Sequence, residues 1–300
     1  MGHGTRRWAA GLGTAAAAAA SVLGQAGVAA SAAPAASARP AAPAASAGPA
    51  ASASSLAHSW QVGRTVVAGQ AAASGSVYLP AGRILGFGDR GPAVRALQRR
   101  LSFLHYYPGK IDGHFGWDTM EAVWAFKEVQ SGRRIPPKHN IVGAAMQRQL
   151  QHPKLPKVLH PRGGSNLRIE INKKIEVLVL YHHNKVELIS HVSTAAYCRP
   201  DGCGWVTPNG FHRALWFAAG WVGGPLGSMY NPVVFTPDGA YAIHGEPNPP
   251  ATISFNGVPL NPASHGCVRI PFDLSKFFHK LIRPSTNGHG TPIWIWGPNR

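Results

Sequence analysis

The sequence predicts an α+β chain in which a small three-helix domain, residues 82–152, precedes a mostly β domain, residues 165–298. Three observations carry this. Val94, Leu97, Leu101 and Leu104 are spaced three, four and three, which lines one face of a helix with apolar groups. From Leu167 the period changes: Leu167, Ile169 and Ile171 alternate with polar residues, and a dense apolar run from Ile175 to Leu180 follows, the pattern of paired strands. Between the two patterns, His152-Pro153-Lys154-Leu155-Pro156 to Gly163-Gly164 is rich in Pro and Gly and marks a linker, 153–164.

The N-terminal stretch belongs to neither domain. Residues 1–30 carry His3, Arg6 and Arg7, an alanine-rich run from Trp8 to Leu23, and the small residues Val28-Ala29-Ala30, which together read as a secretory signal peptide. Arg6-Arg7 also leaves a twin-arginine signal open. A retained membrane anchor is the rival, but it needs about 20 uninterrupted apolar residues, and glycines and Gln25 interrupt this one. No other stretch is long and apolar enough to span a bilayer. Residues 31–81 are mostly Ala, Pro, Ser and Gly with few charges. Such a segment buries too little apolar surface to offset its ordering entropy and is expected to be an extended, disordered tether.

In the helical domain, Gly88-Asp89-Arg90-Gly91-Pro92 precedes the first helix, with Pro92 suited to its first turn. Tyr106-Tyr107-Pro108-Gly109 and the glycine-punctuated Lys110-Ile111-Asp112-Gly113-His114-Phe115-Gly116 form the connection. A second helix carries Met120, Val123, Ala125 and Phe126, and a third spans Val142 to Leu150. In the β domain, Asn184-Lys185 separates the dense run from Val186-Glu187-Leu188-Ile189, a hairpin pattern. One helix is expected there: Leu274, Phe277, Phe278, Leu281 and Ile282 follow the i, i+3, i+4, i+7, i+8 rule, with Pro271 near its start.

The chain has 29 Lys+Arg against 12 Asp+Glu, a formal net charge of +17. Nucleic acid is not the expected counterion. The basic residues, among them Arg95, Arg99, Arg100, Lys154, Lys157, Lys173 and Lys174, are scattered and lack the aromatic interleaving of a single-strand platform. For an exported chain, anionic polymers outside the cytoplasm fit better. Cys198 and Cys203 flank the turn-forming Arg-Pro-Asp-Gly and are expected to close a small disulfide ring in an oxidising compartment. The rivals are two reduced thiols, or a zinc pair, for which two more ligands at suitable spacing are lacking. No metal and no cofactor is expected, and Cys267 is left unpaired.

Chemistry concentrates in Ser264-His265-Gly266-Cys267-Val268-Arg269, preceded by His244-Gly245. A free thiol is only a few per cent thiolate at neutral pH, so a base within reach is needed to make it a competent nucleophile. His244 and His265 are the candidates. Gly266, without a Cβ, lets a carbonyl approach the backbone, where the N–H groups of Gly266 and Cys267 are candidate oxyanion donors. The bland alternative is a structural cysteine beside loop histidines.

These residues resemble the catalytic motif of the L,D-transpeptidase (YkuD-type) family, His-Gly … Ser-His-Gly-Cys-(Ile/Val)-Arg. The resemblance extends through Ser193-Thr194, Thr207-Pro208-Asn209-Gly210-Phe211, Phe235-Thr236-Pro237-Asp238-Gly239 and the closing Gly290-Thr291-Pro292-Ile293-Trp294-Ile295, and it covers roughly residues 165 to 298. Residues 82–152 resemble a three-helix peptidoglycan-binding domain, with Arg95-Ala96-Leu97-Gln98 and Thr119 in matching places; Lys138-His139-Asn140 departs from the usual Asp-Gly text.

The resemblance implies a β-sandwich-like catalytic fold and peptidoglycan, stem peptides and glycan strands, as the partner at the wall outside the cytoplasm. It implies that Cys267 attacks a stem tetrapeptide before its terminal D-Ala, with His244 as base and then acid, oriented by the Gly245 carbonyl. The thioester then passes its acyl group to an amine, giving a 3→3 cross-link; transfer to water would make the chain a carboxypeptidase. A wall-binding protein with an inactive catalytic domain is the competing class. Arg269 is either a clamp for a substrate carboxylate or one half of an internal ion pair. Ser264 and Tyr230 are further candidate substrate contacts. The interval before Ser264 holds Phe255-Asn256-Gly257-Val258-Pro259-Leu260, an insertion expected near the site. The remaining histidines, His182-His183 included, are expected in turns or on the surface.

Overall fold

A computed structural model describes residues 83–136, 140–156, 158–159, 167–224, 226–245 and 258–299. The expected signal peptide and tether, residues 157 and 160–164 of the linker, Lys138-His139 and Phe255–Gly257 of the insertion lie outside the described residues.

The helical unit runs β1 (Leu85–Gly86), α1 (Pro92–Phe103), α2 (Trp117–Ser131), β2 (Ile141–Val142) and α3 (Ala144–Gln151), with β1 and β2 paired antiparallel. Pro92 opens α1, whose Val94, Leu97 and Leu101 are fully buried as their spacing predicts. The third helix starts two residues later than expected: Gly143 is extended, and Ile141–Val142 pairs as a strand instead. Gln98 shows why the glycine loop holds its shape. Its amide nitrogen is shared among Asp112 Oδ1, the His114 carbonyl and Thr119 Oγ1 at 2.9–3.1 Å, and its oxygen accepts the Gly113 N–H at 2.8 Å.

The β unit begins with β3 (Leu167–Asn172), β4 (Val177–His182) and β5 (Lys185–His191). The β4–β5 turn is His183-Asn184, one residue earlier than expected, with both residues at positive φ as a tight right-twisted hairpin requires. Then follow β6 (Cys198–Arg199), β7 (Gly202–Cys203), β8 (Gly210–Arg213), β9 (Trp216–Phe217), β10 (Trp221–Gly224), β11 (Gly227–Val234), β12 (Ala242–Gly245), β13 (Val268–Ile270), α4 (Phe272–Leu281) and β14 (Pro292–Trp296). One sheet has the order β5-β4-β3-β14-β8; the other has β10-β11-β12-β13, with β9 beside β11. Ile169, Ile171, Leu178 and Leu180 of the first sheet share a core with Val233, Ile243, Val268 and Ile270 of the second and with Leu274 and Phe278 of α4. Most pairings are antiparallel, but β12–β13 and β3–β14 are parallel.

The two units are joined more closely than a linker suggests. Alternate residues of β4 serve different cores: Leu178 and Leu180 face the second sheet, whereas Val177, Val179 and Tyr181 pack with the helices. Burial on both faces is the physical reason the run was continuously apolar. The backbone joins too, since Ile189 donates to the His105 carbonyl at 2.8 Å and Tyr107 donates to the Ile189 carbonyl at 3.0 Å, extending the sheet past β5. Buried between the units, His191 Nδ1 lies 2.9 Å from Glu128 Oε2 of α2, and His191 Nε2 lies 3.2 Å from the Pro259 carbonyl. With Nε2–H donating to that carbonyl, Nδ1 is an acceptor and the Glu128 carboxyl donates to it. Burial favours this neutral pair, raising Glu128 well above the carboxylate range and pushing His191 down to about 4. His191 is therefore no surface histidine, while His182 and His183 do sit at the exposed turn.

Candidate active site

Cys267 immediately precedes β13, and His244 lies in β12. The parallel register sets Ile243 beside Val268, His244 beside Arg269 and Gly245 beside Ile270. Cys267, one residue ahead of β13, and His244 of β12 are thus two steps apart along the register of neighbouring strands.

His244 is almost fully buried, and its Nδ1 lies 3.1 Å from its neighbour's carbonyl, Gly245 O. A carbonyl only accepts, so Nδ1 carries the proton and Nε2 presents a lone pair. Burial, reinforced by the charge of Arg269, pushes this imidazole down to about 4, so it is neutral and basic in form at pH 7. Gly245 is required sterically: a Cβ there would collide with Ser275 Oγ and Cβ of α4 and lie 3.4 Å from Phe272 Cα. The same close approach brings α4 onto the strand carrying the base.

The Sγ of Cys267, half-buried, receives the backbone N–H of Ala242 at 3.4 Å and lies 3.9 Å from Met229 Sδ. Gly266 sits at φ +143, and a Cβ there would collide with the Tyr241 ring and lie 2.9 Å from the Val206 carbonyl. Only glycine lets the turn lie this tightly over Tyr241.

Three groups of the turn depart from expectation. Ser264 is buried rather than substrate-facing: its hydroxyl donates to the Cys267 carbonyl at 2.6 Å and accepts the Gly266 N–H at 3.1 Å. It braces the nucleophile turn, and by taking the Gly266 N–H it withdraws that group from the pair of expected oxyanion donors in this conformation. His265 also points elsewhere. Its Nε2 lies 2.5 Å from Asp201 Oδ2, its ring packs edge-on against Trp205 at 4.7 Å, and His244 is left as the imidazole on the nucleophile's ladder.

Cys198 and Cys203 are joined by a disulfide. Tyr230 stands opposite Gly245 in β11, between Trp221 at 5.2 Å and Phe272 at 4.8 Å, an aromatic row beside the base. Arg269 is tied by its backbone to Ser193, N–H to carbonyl in both directions.

Thr207, in the Thr-Pro-Asn-Gly-Phe run, braces the nucleophile turn. Its hydroxyl donates to the Gly266 carbonyl at 2.9 Å and accepts the Ala195 N–H at 2.9 Å, while its carbonyl accepts Lys173 Nζ at 2.7 Å. Lys173, one of the scattered basic residues, is buried behind the turn, where burial pushes its ammonium down to about 8. Glu176 lies beside it and accepts both the N–H and the hydroxyl of Thr194. The turn after β3 therefore props the nucleophile segment from behind.

Residues 166–295 match the family model of the L,D-transpeptidase catalytic domain, YkuD, and residues 90–131 match PG_binding_1, a peptidoglycan binding domain. The chain carries a YkuD-type L,D-transpeptidase catalytic domain. This family consists of cysteine transpeptidases, and the peptidoglycan-binding domain precedes the catalytic one. The crystal structure of an L,D-transpeptidase from Xylanimonas cellulosilytica is 29% identical with a TM-score of 0.58, covering 72% of this chain and 99% of that one. An L,D-transpeptidase from Stackebrandtia nassauensis is 15% identical, TM-score 0.41, over 74% of this chain and 98% of that one. L,D-transpeptidase 3 from Mycobacterium tuberculosis, solved with a faropenem-derived adduct, is 13% identical, TM-score 0.33, over 44% and 60%. A search of curated proteins finds no match. Domains that act on peptidoglycan imply a place at the cell wall, outside the cytoplasm. Among the described residues no helix of the chain is long and apolar enough to cross a membrane.

Proposed function

We propose that this chain is an exported L,D-transpeptidase that forms 3→3 cross-links in peptidoglycan, with residues 1–30 as its export signal and residues 31–81 as its tether. The observation that carries the reading is the register of β12 and β13, which sets His244 beside Arg269, two residues after Cys267, with the imidazole held through Nδ1 so that Nε2 is the base. His244 takes the thiol proton as Sγ attacks the carbonyl preceding the terminal D-Ala of a stem tetrapeptide. It returns that proton to the departing amine as the C–N bond breaks, leaving a thioester on Cys267. An acceptor amine, deprotonated by the same imidazole, attacks the thioester, and an amide forms as the thiol is released. Arg269, beside His244, serves the donor carboxylate, and Tyr230 with Trp221 lines the approach. The helical domain supplies wall retention, and the excess of basic charge suits anionic wall polymers.

The test is intact-mass spectrometry of the chain after exposure to faropenem, followed by incubation with stem tetrapeptides. A stoichiometric adduct on the parent, absent from Cys267→Ala and slowed in His244→Ala, together with cross-linked dimer product, supports the reading. A folded parent with reduced Cys267 and no adduct would overturn it in favour of an inactive wall-binding domain. Free D-Ala with only hydrolysed tripeptide would replace transfer by carboxypeptidase action.

A further inference from the structure

The disulfide ring has no task in the chemistry above, yet it ends on the nucleophile motif. β6 and β7 form a ladder two residues deep, Cys198 opposite Cys203 and Arg199 opposite Gly202, and the disulfide closes it. Asp201 stands at its tip. Its Oδ2 lies 2.5 Å from His265 Nε2, and its Oδ1 lies 3.4 Å from Arg199 Nε, which is itself 3.0 Å from the same imidazole nitrogen. One ring nitrogen cannot donate and accept at once. The carboxylate only accepts, so the shorter contact requires a proton on Nε2, and Arg199 is held by the carboxylate rather than by a lone pair of the ring. The hydrogen bond from His265 also keeps the Asp201 carboxyl below the usual range.

The backbone on either side of the ring grips the same turn. Ala195 bridges Ser264 in parallel, and Ala196 donates to the Ser264 carbonyl at 3.1 Å. Gly204 donates to the Tyr197 carbonyl at 2.8 Å, which ties the far end of the ring to its near end. Trp205 then packs against the His265 ring. His265 is thus fixed in backbone, ring plane and tautomer by residues 195–205, while Cys267 follows two positions later with Gly266 between.

We propose that Asp201, presented by the Cys198–Cys203 ring, is a positioning residue for His265 and, through the turn that His265 belongs to, for the Cys267 thiol. The proposal rests on the reading of Cys267 as the nucleophile. The disulfide's part is to hold a short loop so that a largely exposed carboxylate meets one imidazole nitrogen without being ordered anew in each turnover.

The full chain is compared with Asp201→Ala, Asp201→Asn, Cys198→Ser/Cys203→Ser and the triple variant. Three readouts are taken: the 15N signature of the His265 tautomer, the rate of Cys267 alkylation by iodoacetamide, and the rate of adduct formation with faropenem. Melting temperature confirms the fold. Expected are an Nε2–H tautomer in the parent, and on the order of a tenfold fall in both rates for Asp201→Ala. Asp201→Asn, whose amide oxygen still accepts, should be slowed less. In the disulfide-free protein the loss should match that of Asp201→Ala, and adding Asp201→Ala there should change little, as expected for two parts of one device. Folded Asp201→Ala with parental rates, or an Nδ1–H tautomer in the parent, would overturn the proposal. A parent that is alkylated but takes no faropenem would instead sink the acyl-transfer reading, and the alkylation rates and the tautomer would still decide the role of Asp201.

Discussion

The backbone N–H of Ala242 points at the sulfur of Cys267, 3.4 Å away. A donor aimed at sulfur favours thiolate over thiol, and because it is a main-chain group of β12 it stays in place whatever side chain follows. Cys267→Ser should therefore fold normally yet lose acylation by on the order of 10³-fold or more, since a hydroxyl in the same cradle remains protonated. Adduct mass and melting temperature together check this; a serine variant that still acylates at a comparable rate would refute it.

Gly245 and Ser275 define how closely α4 approaches the base strand. Gly245→Ala places a methyl on the Ser275 hydroxyl and should cost about 1–3 kcal/mol and most of the activity. Adding Ser275→Gly removes the colliding atoms and should recover part of both, offset by about 1 kcal/mol for glycine inside a helix. Thermal denaturation and acylation rates of the two variants decide it, and absence of recovery would mean the clash lies elsewhere.

Two buried groups pull stability in opposite directions with pH. His191 is held at about 4, below its free value of 6.5, so the stability it carries is present above pH 6.5 and is lost as pH falls through 4. Burial raises Glu176 to about 7 from 4.5, so its contribution is present below pH 4.5 and is lost as pH rises through 7. Relative to the parent, Glu176→Gln should gain stability as pH rises from 4.5 to 7, each unit of difference being worth about 1.4 kcal/mol. Melting temperatures across pH 4–8 would show this as converging curves at low pH; parallel curves would contradict it.

His244 is likewise held at about 4. To the extent that this imidazole sets the acid limb, acylation by faropenem should persist down to about pH 4 rather than fail near 6.5. A pH–rate profile falling away near 6.5 in the parent would show that the imidazole titrates freely.

The helices and the β unit should melt together. Trp124 is buried in α2, its indole N–H donates to Asn140 at 2.9 Å, and its ring meets His191 edge-on at 5.3 Å. Trp124→Ala should destabilise the whole described chain by about 3–5 kcal/mol and retain one calorimetric transition. Two separated transitions would show that the units fold independently.

Much of this was legible in the residues. The apolar spacing of α1 and α4 and the alternation of β3 depend on neighbours in sequence, and each element is found where its pattern places it. The dense run of β4 was visible, but its cause, two cores on opposite faces, required knowing what lay across from it. The Gly266 N–H was committed to Ser264 by a turn whose closure only coordinates reveal. Glu128 and His191 are 63 residues apart and Asp201 and His265 are 64 apart. No local period links such pairs, so a charge in a helix and a charge in a loop read as solvated until the fold brings their partners.

The backbone splice at Tyr107 and Ile189 gives the molecule a fixed gauge. A binding module on a loose leash would sample the mesh around its anchorage and let the nucleophile find any stem within range. A module sharing strands and core with the catalytic unit cannot swing, so if it grips a wall strand the thiol comes to rest at one offset and bearing from it. Under the proposed activity, selection among stems would then be partly a matter of lattice spacing, and two peptides of identical chemistry would differ as substrates by where they hang.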